Sequence, residues 1–193
     1  MKRILFFCVA AMISTLTYAN NDPAPTSKPV NIEKSVVTWK GYKVLGSHNG
    51  TIRISEGELT FGDEGLTGGN FMIDMTSLNC TDLEAGKGKE KLEGHLKSDD
   101  FFGVNTYPTA NFEITKVVSR GKEGEYKIVG NLTIKETTKE IKFNATVKEN
   151  QAMAEFKVDR SEYDIRYGSG SFFDNLGDNT IYDEFDLNIN LVF

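Results

Sequence analysis

Along most of the chain apolar and polar residues alternate with a period of two, the rhythm of strands that have one buried and one wet face. The pattern is cleanest in the second half. Tyr126, Ile128, Leu132 and Ile134 alternate with Lys127, Asn131, Thr133 and Lys135. After a turn at Glu136-Thr137, Ile141, Phe143, Ala145 and Val147 alternate with Glu140, Lys142, Asn144 and Lys148. A turn at Glu149-Asn150-Gln151 leads to Ala154, Phe156 and Val158, set against Glu155, Lys157 and Asp159. The last run opposes Phe185, Leu187, Ile189, Leu191 and Phe193 to Asp186, Asn188 and Asn190. Four earlier runs read the same way, at about 34–44 (Val37, Trp39), 48–61 (Ile52, Ile54), 66–78 (Phe71, Ile73, Met75) and 109–118 (Ala110, Phe112, Ile114). Within 48–61 the phase changes at Ser55-Glu56-Gly57, which predicts a bulge or sharp bend.

About eight strands joined mostly by short turns imply antiparallel pairing of sequence neighbours. A sheet of that size with one apolar face must curl closed or split into a sandwich. Eight is the number at which a closed barrel encloses side chains or one small ligand, so an all-β, eight-stranded antiparallel barrel is expected.

One stretch departs from the rhythm. Over about 84–102 the spacing is helical: Leu92 and Leu96 lie four apart, with His95 three after Leu92, on one face. Ser98-Asp99-Asp100 loosens that helix, because short polar side chains compete for nearby backbone groups. Phe101 and Phe102 follow, and Tyr107-Pro108 returns the chain to extended geometry. This short helical insertion is read as a lid, with Leu92 and Leu96 closing over the barrel and Phe101 and Phe102 anchoring the closure.

The start of the chain bounds the compartment. A positive Met1-Lys2-Arg3, an apolar run from Ile4 to Leu16 and Ala19 before the cut have the form of a signal peptide over 1–19. The run is shorter than the ~20 residues of a transmembrane helix, so no integral span is expected after cleavage. Polar, proline-rich residues 20–33 read as a flexible tether, which leaves 34–193 as one barrel domain. Without Lys2 and Arg3 the chain has twenty basic against twenty-eight acidic residues, a net charge near −8. That argues against nucleic acid as a partner, since phosphate neutralisation needs a basic face. Only Cys80 remains after cleavage, so no internal disulfide can form and Cys80 is expected as a small buried residue.

Catalytic and metal motifs are sparse. His48 and His95 are the two histidines, with no His-x-x-x-His pair and no clustered cysteine in sequence, so no zinc site is expected. No Gly-x-Ser-x-Gly elbow occurs. Gly168-Ser169-Gly170-Ser171 lacks the context and lysine of a P-loop and reads as a flexible loop. Asp174 to Asn179 has its glycine in the wrong place for an EF-hand and reads as solvated. No catalytic residue, metal or cofactor is expected.

The helical insertion and its flanks carry a family resemblance. His95-Leu96-Lys97-Ser98-Asp99-Asp100-Phe101-Phe102 and Tyr107-Pro108-Thr109-Ala110-Asn111-Phe112 resemble the signature of the YceI-like polyisoprenoid-binding proteins. Trp39, His48-Asn49-Gly50, Gly130-Asn131-Leu132-Thr133-Ile134-Lys135, Thr138-Lys139 and Asp159-Arg160-Ser161 extend it over about 35–193. The resemblance implies a lipocalin-like barrel, exported to the periplasm or secreted, whose apolar channel holds an isoprenoid tail for carriage, storage or sensing. It departs at Asp164, where the family pattern leads one to expect glycine. On this reading Trp39, Ile52, Phe71, Phe112, Phe143 and Phe156 line the bore. His48, His95 and Arg160 serve head-group contacts or structural hydrogen bonds near the mouth. Whether the chain pairs as a homodimer is left open. Three rivals stand beside it: an outer-membrane barrel with the apolar face outward, a hydrolase or isomerase of small apolar substrates, and a scaffold with an empty core.

Overall fold

The structure is a computed structural model that describes residues 24–193. The expected signal peptide lies outside the described residues. Nine strands and one helix follow in the order β1 (Thr26–Pro29), β2 (Val36–Lys43), β3 (Gly46–Gly62), β4 (Gly65–Cys80), α1 (Lys89–Lys97), β5 (Thr109–Ser119), β6 (Glu125–Ile134), β7 (Thr137–Lys148), β8 (Gln151–Asp159) and β9 (Glu184–Val192).

Each of the eight expected strands is present, and β2 to β9 pair antiparallel with their sequence neighbours. The ring closes because β9 pairs back onto β2, with Val37 opposite Ile189 and Trp39 opposite Leu187. Closure removes the free edges that an open sheet would expose. The predicted phase change is also there: the β3–β4 register shifts between Ile54 and Glu56. The bend lets one long strand serve two partners on the same side, residues 46–52 facing β2 and residues 58–61 facing β1.

The tether expectation is corrected by β1. Thr26–Pro29 pairs with Glu58–Phe61, Val30 is buried, and its N–H bonds Gly57 O at 2.8 Å. The composition misled because proline is tolerated on an edge strand, where a missing donor costs no ladder bond. Lys28 also places its ammonium 4.8 Å over the Phe61 ring and 5.2 Å over Phe193, so a polar residue packs through its charge.

Side-chain alternation places the apolar set inside. Lys40, Lys127, Lys142, Glu155, Lys157 and Asn188 all point outward and are exposed. An outer-membrane barrel needs an apolar belt at those positions. This outer face is charged instead, which rules against that rival.

The long β8–β9 connection (160–183) is organised by Arg160. Its guanidinium, buried at 3% exposure, donates to Ile165 O (2.8 Å), Ile181 O (2.9 Å) and Tyr182 O (3.2 Å). It also forms an ion pair with Asp183 at 3.2 Å. Asp159 caps the turn that starts the loop, accepting from Ser161 N and Ser161 Oγ. Ser169, expected in a flexible stretch, is fully buried and accepts from the Phe172 and Phe173 N–H groups through its carbonyl. Glycine-rich sequence here marks tight packing, since Gly168 is left-handed at φ 62° and lies against Ile181.

Asp164 is left-handed too, at φ 59° and ψ 33°, and closes the turn after Arg160. This explains both the expected glycine and its replacement: aspartate is among the few non-glycine residues that visit this region readily. Asp164→Gly should therefore change stability by less than ~1 kcal/mol, whereas Asp164→Val should cost ~1–3 kcal/mol. Urea unfolding of the two variants checks the difference.

Candidate functional site: the barrel cavity and its rim

The barrel encloses a cavity of about 1230 Å³. At one end it is stopped by Leu59, Leu66, Ile128 and Leu191, all buried. At the other, α1, the segment after it and the 160–183 loop meet over the opening. All thirteen residues singled out from the sequence line this cavity.

The six bore residues come from six strands. Phe143 and Phe156 stack at 4.1 Å and 10°, Phe112 tilts against Phe143 at 5.6 Å, and Phe71 lies 6.3 Å beyond Phe112. The belt thus spans β4, β5, β7 and β8, skipping β6. There Gly130 supplies the room: a Cβ would fall 2.4 Å from the tip of the Phe112 ring. Trp39 is placed by the same device, its indole lying over Gly50, while its Nε1–H donates to Thr51 O at 3.3 Å. Ile52 sits beside it. All six are half-buried rather than buried, because they face open space.

The lid residues divide into two kinds. Phe101 is buried and packs with Val104, Tyr163 and Ile165, so it is an anchor. Phe102 packs at the edge of that cluster. Leu92 and Leu96 are only half-buried, and no residue of α1 is fully buried. The helix begins after left-handed Gly88 and ends where Ser98 Oγ donates to His95 O at 2.7 Å. Glu93 ties it to β4 by accepting the Cys80 N–H at 2.7 Å.

Of the three polar candidates, Arg160 takes the structural part of its two expected roles. Its donors are committed to the loop, and its guanidinium sits 5.5 Å over the Phe101 ring. Burial pulls its pKa down, opposed by Asp183 and Asp159. His95 meets Phe101 edge-on at 5.1 Å and Tyr167 at 4.4 Å, and its Nε2 lies 3.9 Å from Asp100. Tyr167 was not singled out from the sequence, since the 160–183 loop has no periodic pattern that would mark it.

His48 belongs to a cluster that corrects the expectation of no cysteine–histidine grouping. Its Nδ1 lies 2.9 Å from Asp82 Oδ2, and Asp82 Oδ1 accepts from Cys80 Sγ (3.1 Å) and from Asn49 N–H (3.0 Å). Partial burial pushes the Asp82 carboxyl up, but the bonds from Asn49, Cys80 and His48 outweigh it and bring its pKa to about 2. Burial, and then the bond to Asp82, raises the Cys80 thiol. Cys80 is fully buried as expected, yet it is hydrogen-bonded rather than merely packed. The grouping is invisible in sequence because it depends on register: Gly50 pairs with Cys80, thirty positions on.

The whole is an apolar container with a polar rim, closed at one end and bordered at the other by α1 and the 160–183 loop, which is the lipocalin-like class of barrel. Residues 29–193 match the YceI-like domain, and the chain belongs to that family. A UPF0312 protein of Photorhabdus laumondii is 32% identical over 98 residues, 50% of this chain and 46% of the relative. One from Pseudomonas putida is 29% identical over 118 residues, 59% of this chain and 57% of the relative. The chain thus spans about half the length of the curated relatives it matches. Among solved structures, BcnA of Burkholderia cenocepacia superimposes with a TM-score of 0.69 at 22% identity, over 85% of this chain and 99% of that one. A polyisoprenoid binding domain from Saccharophagus degradans gives 0.57 at 14%, over 84% and 95%. The YCEI protein of Campylobacter jejuni gives 0.53 at 18%, over 98% and 96%. At such identities these three establish the fold.

Proposed function

We propose that this protein holds one long apolar ligand of the polyisoprenoid type inside the barrel and carries it in the periplasm. The cavity is the observation that supports this most. Its volume of about 1230 Å³ corresponds to on the order of forty CH₂-sized groups, at the ~30 Å³ that a water of similar size occupies. Each buried CH₂ contributes ~0.8 kcal/mol. Association costs ~4–15 kcal/mol, which roughly five to twenty buried carbons offset, so long chains bind tightly and short ones weakly or not at all. Length, rather than head-group chemistry, is then the main selector.

The Saccharophagus degradans domain, named for polyisoprenoid binding, supports the ligand class. Binding rather than catalysis fits a lining that is mostly aromatic and aliphatic, with its polar groups at the rim. The N-terminal signal-peptide pattern supports export.

Native mass spectrometry of gently purified protein should show an added mass that organic extraction recovers as a lipid. Delipidated protein should take up a polyprenol of about forty carbons and hold one of about ten far more weakly. Protein that arrives empty and takes up neither would sink the reading. Uptake of both alike would overturn the length selection.

A further inference from the structure

We propose that His48, Cys80 and Asp82 form a site for one transition-metal ion of the zinc class at the rim of the cavity. The three ligand atoms already lie within 4.8 Å of one another. Metal bonds of ~2.0–2.3 Å to nitrogen, oxygen and sulfur place the donors of a tetrahedral site at comparable separations. Small side-chain adjustments therefore suffice to admit the ion.

The donor set is selective. A thiolate, an imidazole and a carboxylate suit a borderline cation, whereas calcium and magnesium demand oxygen. Charge also balances, since a thiolate and a carboxylate together neutralise a divalent ion. Binding releases the Cys80 proton to solvent and leaves the imidazole neutral, presenting a ring-nitrogen lone pair.

The backbone holds the site ready. Asn49 N–H donates to Asp82 Oδ1, Thr81 N–H donates to Asn49 O at 3.0 Å, and Gly50 pairs with Cys80, which together lock the start of β3 to the end of β4. Such outer contacts orient ligands and fix their geometry. Cys80 forms the floor, fully buried. The His48 and Asp82 side chains are 29% and 27% exposed, so an ion has a path in and a fourth position faces solvent. His48 also lines the cavity, which puts that position beside the opening. A mere hydrogen-bonded tie between β3 and β4 would need none of this softness in its donors, and it would bind no metal.

The test is a cobalt(II) titration of protein free of any histidine tag, stripped with chelator and kept under a non-thiol reductant. One equivalent should bind with intense visible bands of four-coordinate cobalt and a near-ultraviolet thiolate-to-metal charge-transfer band, both displaced by zinc. Cys80→Ser should remove the charge-transfer band. Should that variant fold poorly, His48→Gln at a partly exposed position keeps the test open. It should weaken binding by more than ~10-fold, since even outer-shell partners are worth that much. Binding without the thiolate band, or equal affinity in His48→Gln, overturns the site. The spectra need no lipid, so this result stands apart from that of the lipid experiment.

Discussion

Phe143→Asp should abolish uptake of the proposed ligand and lower stability by ~3–5 kcal/mol, whereas Lys142→Asp should do neither. Phe143 is the centre of the aromatic belt, stacked on Phe156 at 4.1 Å and tilted against Phe112 at 5.6 Å. Truncating such a residue removes its burial and leaves a void. Aspartate adds a charge facing an apolar lining, which is costly unless it is paired or hydrated. Any water drawn in to hydrate that charge occupies the space of the ligand, so binding fails even where folding survives. Lys142 is the adjacent residue on the outer face, exposed and paired only with Glu140 at 2.8 Å. Exposed pairs of this kind are worth at most ~1 kcal/mol. Urea unfolding and polyprenol uptake on both variants decide the matter, and equal effects would mean that the inner and outer faces are misassigned.

The second large effect is expected at the mouth. Arg160→Ala should cost ~3–5 kcal/mol, because it takes the donor from three loop carbonyls and the counter-charge from Asp183, which keeps only the Ser171 Oγ bond. Arg160→Lys should restore only a small part of that. A single ammonium cannot span the carbonyls of Ile165, Ile181 and Tyr182 as the planar guanidinium does. Limited proteolysis gives the sharper readout. Cleavage should concentrate within 161–182 in both variants while β5 to β8 stay protected. A loss under ~1 kcal/mol, with unchanged cleavage, would show that Arg160 does not hold the loop.

These two residues also show what the sequence makes legible. Phe143 is read from alternation alone, because a period of two assigns a face before any partner is known. The same logic places Trp39, Ile52, Phe71, Phe112 and Phe156, and it locates the bend at Ser55-Glu56-Gly57. Arg160 is different. Its neighbours come from one irregular loop whose contacts obey no period, so the sequence marks the residue without choosing between its two roles. The edge strand at Thr26–Pro29 is hidden for a related reason: its pairing is written in β3 rather than in its own composition. The grouping of His48, Cys80 and Asp82 is concealed most completely. The sequence marks His48 and Cys80 singly, and they join Asp82 only when the register of β3 and β4 is known.

Ring closure has a further consequence, in the time domain. The β5–β8 hairpins join residues close in sequence, and such contacts form early because little chain must be ordered to make them. The seam between β2 and β9 pairs Val37 with Ile189, so almost the entire chain has to be in place before it forms. Until then the apolar inner faces of both strands stand at open edges, where they invite pairing with another molecule. Because the seam forms last, Val37→Ala should accelerate unfolding far more than it retards folding. The vulnerable interval of folding is therefore the one before β9 reaches β2.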